Sequence, residues 1–238
     1  MNSKTVCIIG AMDCEVEKLK EILNNVEEIK QGILTVYKGE AYGKTVVVAK
    51  SGVGKVCGAV CTQLLIDKFN PYCIINTGVA GGLGKGMQVL DIVLAEKLVQ
   101  HDFDASAIGY AKGYICNNIK PDEPTYFYAD KELINKFKLA ISEKMPDLRY
   151  HEGVIASGDM FVGTSEKKKE LNVMFGAIAA EMEGAAIAHA ATLNCVPFII
   201  IRSLSDLADE KAGKGHAFKE REAADKSAKA IELLLQKI

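Results

Sequence analysis

Ala179-Ala-Glu-Met-Glu-Gly-Ala-Ala-Ile-Ala-His-Ala-Ala191 holds ten small or apolar residues in thirteen, yet carries two carboxylates two positions apart. Apolar composition predicts burial, and burying an unpartnered carboxylate costs several kcal/mol or shifts its pKa. Gly184 and the alanines after it predict that a strand, Ala177 to Glu181, ends here and that a tightly packed helix, Gly184 to Leu193, begins. Residues i and i+2 share a face of a strand but lie about 200° apart on a helix, and on the helical reading only one of Glu181 and Glu183 should enter a given pocket. Glu183, at the junction, is the expected one. Its two oxygens can accept from two vicinal hydroxyls, as a ribose presents.

The same alternation runs through the chain. Short β-branched runs at Val6 to Ile9, Leu34 to Tyr37, Thr45 to Lys50, Tyr72 to Asn76, Asp91 to Leu94, Gly153 to Ala156 and Phe198 to Arg202 read as strands. Segments of helical period lie at Glu15 to Asn24, Lys55 to Phe69, Asp130 to Lys144 and Ser165 to Met174. This predicts an α/β fold with a mostly parallel sheet between helices. The pair Leu34 to Tyr37 and Thr45 to Val48 reads as an inserted antiparallel hairpin. Ala224, Ala228, Ile231, Leu235 and Ile238 form the apolar face of a closing helix. No repeat or linker interrupts residues 1–238, which are read as one domain.

The totals limit the partners. The 238 residues are 49% hydrophobic, and 29 basic against 31 acidic residues leave a net charge of -2. Neither nucleic acid nor a membrane surface is expected as a partner. Lys167-Lys168-Lys169, between Glu166 and Glu170, is the longest basic run, too short for either. Seven cysteines with no CxxC pair suit buried thiols in a reducing cytoplasm, and no apolar run reaches membrane-spanning length.

Ligands of open α/β sheets bind at the carboxyl ends of strands, and several ends here are polar or rich in glycine. Gly52-Val53-Gly54-Lys55 invites a phosphate-loop reading, but Ala49 and Val56 stand where that motif needs Gly and Ser or Thr. Gly78 to Gly86 serves either close backbone approach or simple turn geometry. His101-Asp102-Phe103-Asp104 reads as a solvated loop rather than a metal cluster, and His151, His189 and His216 stand alone. Glu15 falls where the first turn of a helix favours a carboxylate. Asp206, past the Phe198 to Ile201 run, has an N-cap as its plain alternative.

Six segments then fall into register. Gly10-Ala-Met-Asp-Cys-Glu15, Ser51-Gly-Val-Gly-Lys55, Ile74-Ile-Asn-Thr-Gly-Val-Ala-Gly-Gly82, Ser157-Gly-Asp-Met-Phe161, Glu181-Met-Glu183 and Ser205-Asp-Leu-Ala-Asp209 closely resemble, in order and spacing, the 5'-methylthioadenosine/S-adenosylhomocysteine nucleosidases of the nucleoside phosphorylase superfamily. The similarity covers essentially the whole chain. It implies a three-layer α/β/α sandwich with a mixed, mostly parallel central sheet, a homodimer, no metal or cofactor, and hydrolysis of the adenine N-glycosidic bond of methylthioadenosine and adenosylhomocysteine, with 5'-deoxyadenosine as a further candidate substrate.

By the same resemblance, Glu15 orients and deprotonates water with Arg202 nearby, while Asp206, helped by Ser205, protonates adenine N7. Glu183 holds the ribose hydroxyls, Met182 packs on the sugar, Phe161 stacks on the base and the Val162 backbone reads its edge. Met12, Val53, Val79, Ala80, Gly81 and Glu181 complete the substrate site. Glu15 is expected to stay ionised and Asp206 to have a raised pKa. The 5' pocket falls either to His216, in ungapped register, or to Phe218 two residues later, and Ala105, Ile108 and Tyr110 come to that pocket from a partner subunit.

One departure bears on chemistry. Val79 stands where the family usually has Ser, which removes a hydroxyl near the sugar and makes phosphorolysis less expected. A phosphorylase of the same fold, a nucleosidase for a specialised adenosine-like nucleoside, and a nucleoside-binding protein without turnover are the alternatives.

Overall fold

A computed structural model describes residues 4–32, 34–115, 121–212, 214 and 216–238. Its centre is β1 (Thr5–Gly10), whose TVCIIG run is buried almost throughout and pairs in parallel with both β4 (Lys44–Lys50) and β5 (Cys73–Asn76). Strands covered on both faces tolerate continuous apolar runs, and β1, β4 and β5 have them. The expected hairpin forms from β3 (Leu34–Ala41) and β4 around the Tyr42-Gly43 turn, with Gly39 inside the strand. A further strand, β2 (Asn24–Gln31), extends it at the edge, where the sequence reading had taken Asn24 for a helix end.

The other half of the sheet holds β6 (Val79–Gly82), β7 (Ile92–Gln100), β8 (Phe127–Tyr128), β9 (Tyr150–Ser157), β10 (Ala177–Glu181) and β11 (Phe198–Asp206). The eleven strands run in the order β2-β3-β4-β1-β5-β11-β6-β10-β9-β7-β8. Because β7 also pairs with β11, the strands β11, β6, β10, β9 and β7 close into a ring. This closure needs β11 to be long. It continues from the predicted Arg202 to Asp206 and shifts register against β6 between Leu204 and Asp206.

Helices α1 (Asp13–Glu21), α3 (Lys131–Lys144) and α6 (His216–Leu235) pack together, while α2 (Lys55–Phe69) lies against α5 (Gly184–Leu193) and α4 (Ser165–Phe175) covers β9 and β10. Alternating helices and strands thus give the α/β sandwich expected. Asp130 caps α3 by accepting from the Leu133 amide, and Thr164 caps α4 by accepting from the Lys167 amide. The main core runs from Val6 to Leu235. Cys7, Cys61 and Cys73 lie in it as small apolar groups, whereas Cys195 is exposed. No helix among the described residues is long and apolar enough to cross a membrane.

Candidate active site

The carboxyl ends of β1, β10 and β11 meet the amino end of β6 around one hollow. Its lining includes Met12, Glu15, Val53, Val79, Ala80, Gly81, Phe161, Glu181, Met182, Glu183, Ser205 and Asp206, so twelve sequence-predicted residues gather in one place. Ala11, Ala180 and Glu220 line it too, although the sequence did not single them out. Ala11 lies inside a motif already quoted; Glu220, on α6, carried no motif signal.

Glu15 reaches the hollow because β1 ends at Gly10 and the chain turns at once into α1. Its carboxylate folds back over the helix start, where Oε2 accepts from the Ala11 amide at 2.6 Å and the Met12 amide at 3.0 Å, while Oε1 accepts from the Val79 amide at 3.0 Å. Gly78, with φ +148°, makes the approach possible, since a Cβ there would collide with Arg202 Nη1 and Glu15 Oε1. Close backbone approach, not turn geometry alone, is what this glycine supplies.

Arg202 is wholly buried and does not line the hollow. It stands behind the carboxylates, donating to the Thr77 carbonyl at 2.9 Å and Asn76 Oδ1 at 2.6 Å, and pairing closely with Glu181. Glu183 Oε2 lies 3.5 Å from the same guanidinium. The expectation that Glu181 and Glu183 face apart therefore fails. Glu181 ends β10 and Glu183, with φ -127° and ψ -35°, precedes α5, so the 200° separation of a helix does not apply to the pair. The roles still divide. Glu181 is held by Arg202, the Ser157 hydroxyl and the amides of Glu183 and Gly184 at the start of α5, whereas Glu183 accepts from the Gly54 amide at 2.9 Å and lines the hollow with fewer partners.

Three buried carboxyls face one guanidinium. Burial pushes the Glu15 carboxyl above its ordinary range against the pull of Arg202 and three amides. Burial, and then the Glu181 charge, push Glu183 up to about 7 despite Arg202 and the Gly54 amide. The folded protein thus holds the Glu183 proton above the carboxyl's ordinary 4.5. This group's stabilising contribution is complete below about pH 4.5 and is lost as the pH rises through about 7. Melting curves of wild type and Glu183→Gln should therefore diverge, the variant gaining relative stability between about pH 5 and about pH 8. A constant difference in melting temperature would contradict the assignment.

Asp206 closes the opposite wall. Its Oδ2 lies 2.8 Å from the Ser205 hydroxyl, and Oδ1 accepts from the Ala208 amide at 2.9 Å. It caps no helix: β11 runs through it, and α6 starts at His216. Phe161 is half exposed at the rim. Val162 does not line the hollow; its side chain packs inward with Val154 and Leu171, leaving only its backbone for recognition.

Several expectations fall elsewhere. Gly54 and Lys55 give their amides to the carboxylates of Glu183 and Asp159, at 2.9 and 2.8 Å, so this turn holds protein carboxylates where a phosphate loop would hold phosphate. His101 is buried rather than solvated, Asp102 pairs with Lys55, and no group of three metal-binding side chains occurs among the described residues. Ala105, Ile108 and Tyr110 do not reach the hollow of their own chain, and Ile108 is 75% exposed. The side chains of His216 and Phe218 lie outside the described residues.

The fold and the carboxylate-lined hollow define a class: the chain belongs to the phosphorylase superfamily, whose family model matches residues 5–238. A 5'-methylthioadenosine/S-adenosylhomocysteine nucleosidase of Staphylococcus saprophyticus is 42% identical over 97% of this chain and 99% of its own length. The nucleosidase of the same name from Neisseria meningitidis, solved with methylthio-immucillin-A, is 42% identical with a TM-score of 0.92, over 99% of this chain and all of that one. The futalosine hydrolase of Helicobacter pylori is 34% identical with a TM-score of 0.92, over 99% of this chain and 98% of its own. Within the superfamily, the chain belongs to the 5'-methylthioadenosine/S-adenosylhomocysteine nucleosidase family.

Proposed function

We infer that this chain hydrolyses the N-glycosidic bond of 5'-methylthioadenosine and S-adenosylhomocysteine, releasing adenine and the 5'-substituted ribose. The observation that carries the reading is the placement of Glu15, Glu183 and Asp206 around one hollow with Met182 and Phe161. Water oxygen bonds to C1' as the bond from C1' to N9 breaks and its electron pair passes into the purine. Asp206 gives its proton to N7, so adenine leaves neutral, and Glu15 takes a proton from the water. Such acid or base assistance is typically worth ~10² to 10⁴-fold each.

A raised Glu15 pKa suits this role, because a stronger base takes a proton from water more readily than an ordinary carboxylate. The Glu183 carboxylate accepts from the ribose hydroxyls, and the exposed face of Phe161 is placed to stack on the base. Arg202 acts from behind, by fixing Glu181 and the charge balance of the cluster.

Phosphorolysis is disfavoured by the wall itself. A phosphate would meet Glu15 and Glu183, with Val79 offering no hydroxyl and Arg202 already engaged. The similarity to futalosine hydrolase favours one second reading, a nucleosidase for a more specialised adenosine derivative. A panel of 5'-substituted adenosines in phosphate-free buffer tests both. Release of adenine and free reducing sugar from methylthioadenosine and adenosylhomocysteine is expected; strict phosphate dependence, or turnover confined to another member of the panel, would overturn the assignment.

A homodimer completes the proposal. Val56, Val60 and Ile108 are 73%, 51% and 75% exposed, an apolar set suited to a second copy that would bring Ala105, Ile108 and Tyr110 to the neighbouring 5' pocket. The thiol usage suits a cytoplasmic location.

A further inference from the structure

The chain carries three consecutive lysines at 167 to 169, and the middle one reaches the acid side of the site. Lys167 pairs with Glu170 one turn along α4. Lys168 is partly buried and donates to two backbone carbonyls, Gly82 at 2.9 Å and Leu207 at 2.6 Å. The first ends β6 and the second follows Asp206 directly.

The Leu207 carbonyl and the Ala208 amide belong to one peptide group. Its oxygen accepts from the Lys168 ammonium, and its N–H donates to Asp206 Oδ1 at 2.9 Å. An ammonium on the oxygen polarises a peptide and strengthens its N–H as a donor. The same group is held in an unfavourable backbone shape, since Ala208 has φ +50° without being glycine and is fully buried. Such conformations persist only where the surroundings over-determine them. Here those surroundings are close: a Cβ on Gly81 would lie 3.1 Å from both Asp206 Oδ1 and Ala208 Cβ. Ser165, at the start of α4, binds the loop a second time, its amide and hydroxyl donating to Glu210 at 2.9 and 2.7 Å.

We propose that Lys168 is a positioning residue for the general acid. By fixing the Leu207–Ala208 peptide, it keeps Asp206 Oδ1 occupied as an acceptor, so the transferable proton resides on Oδ2, the oxygen shared with Ser205. The inference rests on the reading of Asp206 as the acid that protonates adenine. It also assigns a task to α4, which follows directly on the segment carrying Phe161 and so ties the base-stacking loop to the acid loop.

Steady-state kinetics on methylthioadenosine, with melting temperature as a control for folding, test this in Lys168→Met, Lys168→Arg, Asp206→Asn and the Lys168→Met/Asp206→Asn double variant. Because the acid as a whole contributes ~10² to 10⁴-fold, misplacing it should lower kcat by about 10 to 100-fold with KM changed less than about threefold. Lys168→Arg, which can also donate to two carbonyls, should recover most of that loss. In the Asp206→Asn background, the Lys168→Met change should cost less than about threefold, since the group it positions is already gone.

An unchanged kcat, a loss confined to KM, or an equal loss in both backgrounds would overturn the role of Lys168 while leaving the acid in place. An Asp206→Asn variant with near wild-type kcat would instead remove the reading on which the role rests.

Discussion

Asp206→Asn lowers kcat for methylthioadenosine by about 10² to 10⁴-fold while substrate still binds. The substitution preserves shape and most contacts. An asparagine oxygen in place of Oδ1 still accepts from the Ala208 amide, and the Ser205 hydroxyl can rotate to accept from the new NH₂. What disappears is a transferable proton. Adenine would then leave as an anion, and the barrier rises by the part that protonation had removed. KM should change little, because the base keeps Phe161 and the ribose keeps Glu183. A variant within about tenfold of wild-type kcat would show that leaving-group protonation comes from elsewhere.

Glu15→Gln is the second large loss, of similar size, with a different signature. A glutamine is neither a base for water nor an acceptor at both ends, yet three amides from Ala11, Met12 and Val79 donate to the carboxylate. Its NH₂ must face at least one of them, and an unsatisfied buried amide costs about 1 to 3 kcal/mol. The variant should therefore lose both turnover and some melting temperature, whereas Asp206→Asn loses turnover alone. Full stability together with retained activity in Glu15→Gln would remove the base from this position.

Much of this arrangement was legible in the chain, for a physical reason. The helices Lys55–Phe69 and Gly184–Leu193 each start at or just after a glycine and are each followed by an asparagine, so their boundaries match the sequence reading. Glu15, Glu183 and Asp206 stand at or just past the ends of apolar strands, which marks them as candidates, and the resemblance of the six segments assigns their roles. What escaped notice shares a cause as well. The polar β2, NNVEEIKQ, pairs only along the edge with β3, so alternation is weak.

β6 is four residues, VAGG, and reads as a turn because glycine lets Asp206 and Ala208 approach it closely. β11 runs on through Ser203, Ser205 and Asp206, residues that end a strand by composition but here serve the ring closure and the site. The opposed-faces expectation for Glu181 and Glu183 failed for a related reason. The 200° separation holds only inside a helix, and here Glu181 ends a strand while Glu183 precedes the helix, with both carboxylates turned toward Arg202. No local pattern could have revealed Lys168, whose partners lie 86 and 39 positions away in the chain.

Oxygen-18 water tests the central claim most directly, namely that the carboxylate wall activates water against C1' while the far wall protonates the base. With methylthioadenosine in phosphate-free buffer made with labelled water, the account predicts one adenine for each methylthioribose, the sugar carrying the label at C1 when it is analysed by mass spectrometry before exchange. Unlabelled sugar, or a sugar 1-phosphate formed only when phosphate is added, would contradict it.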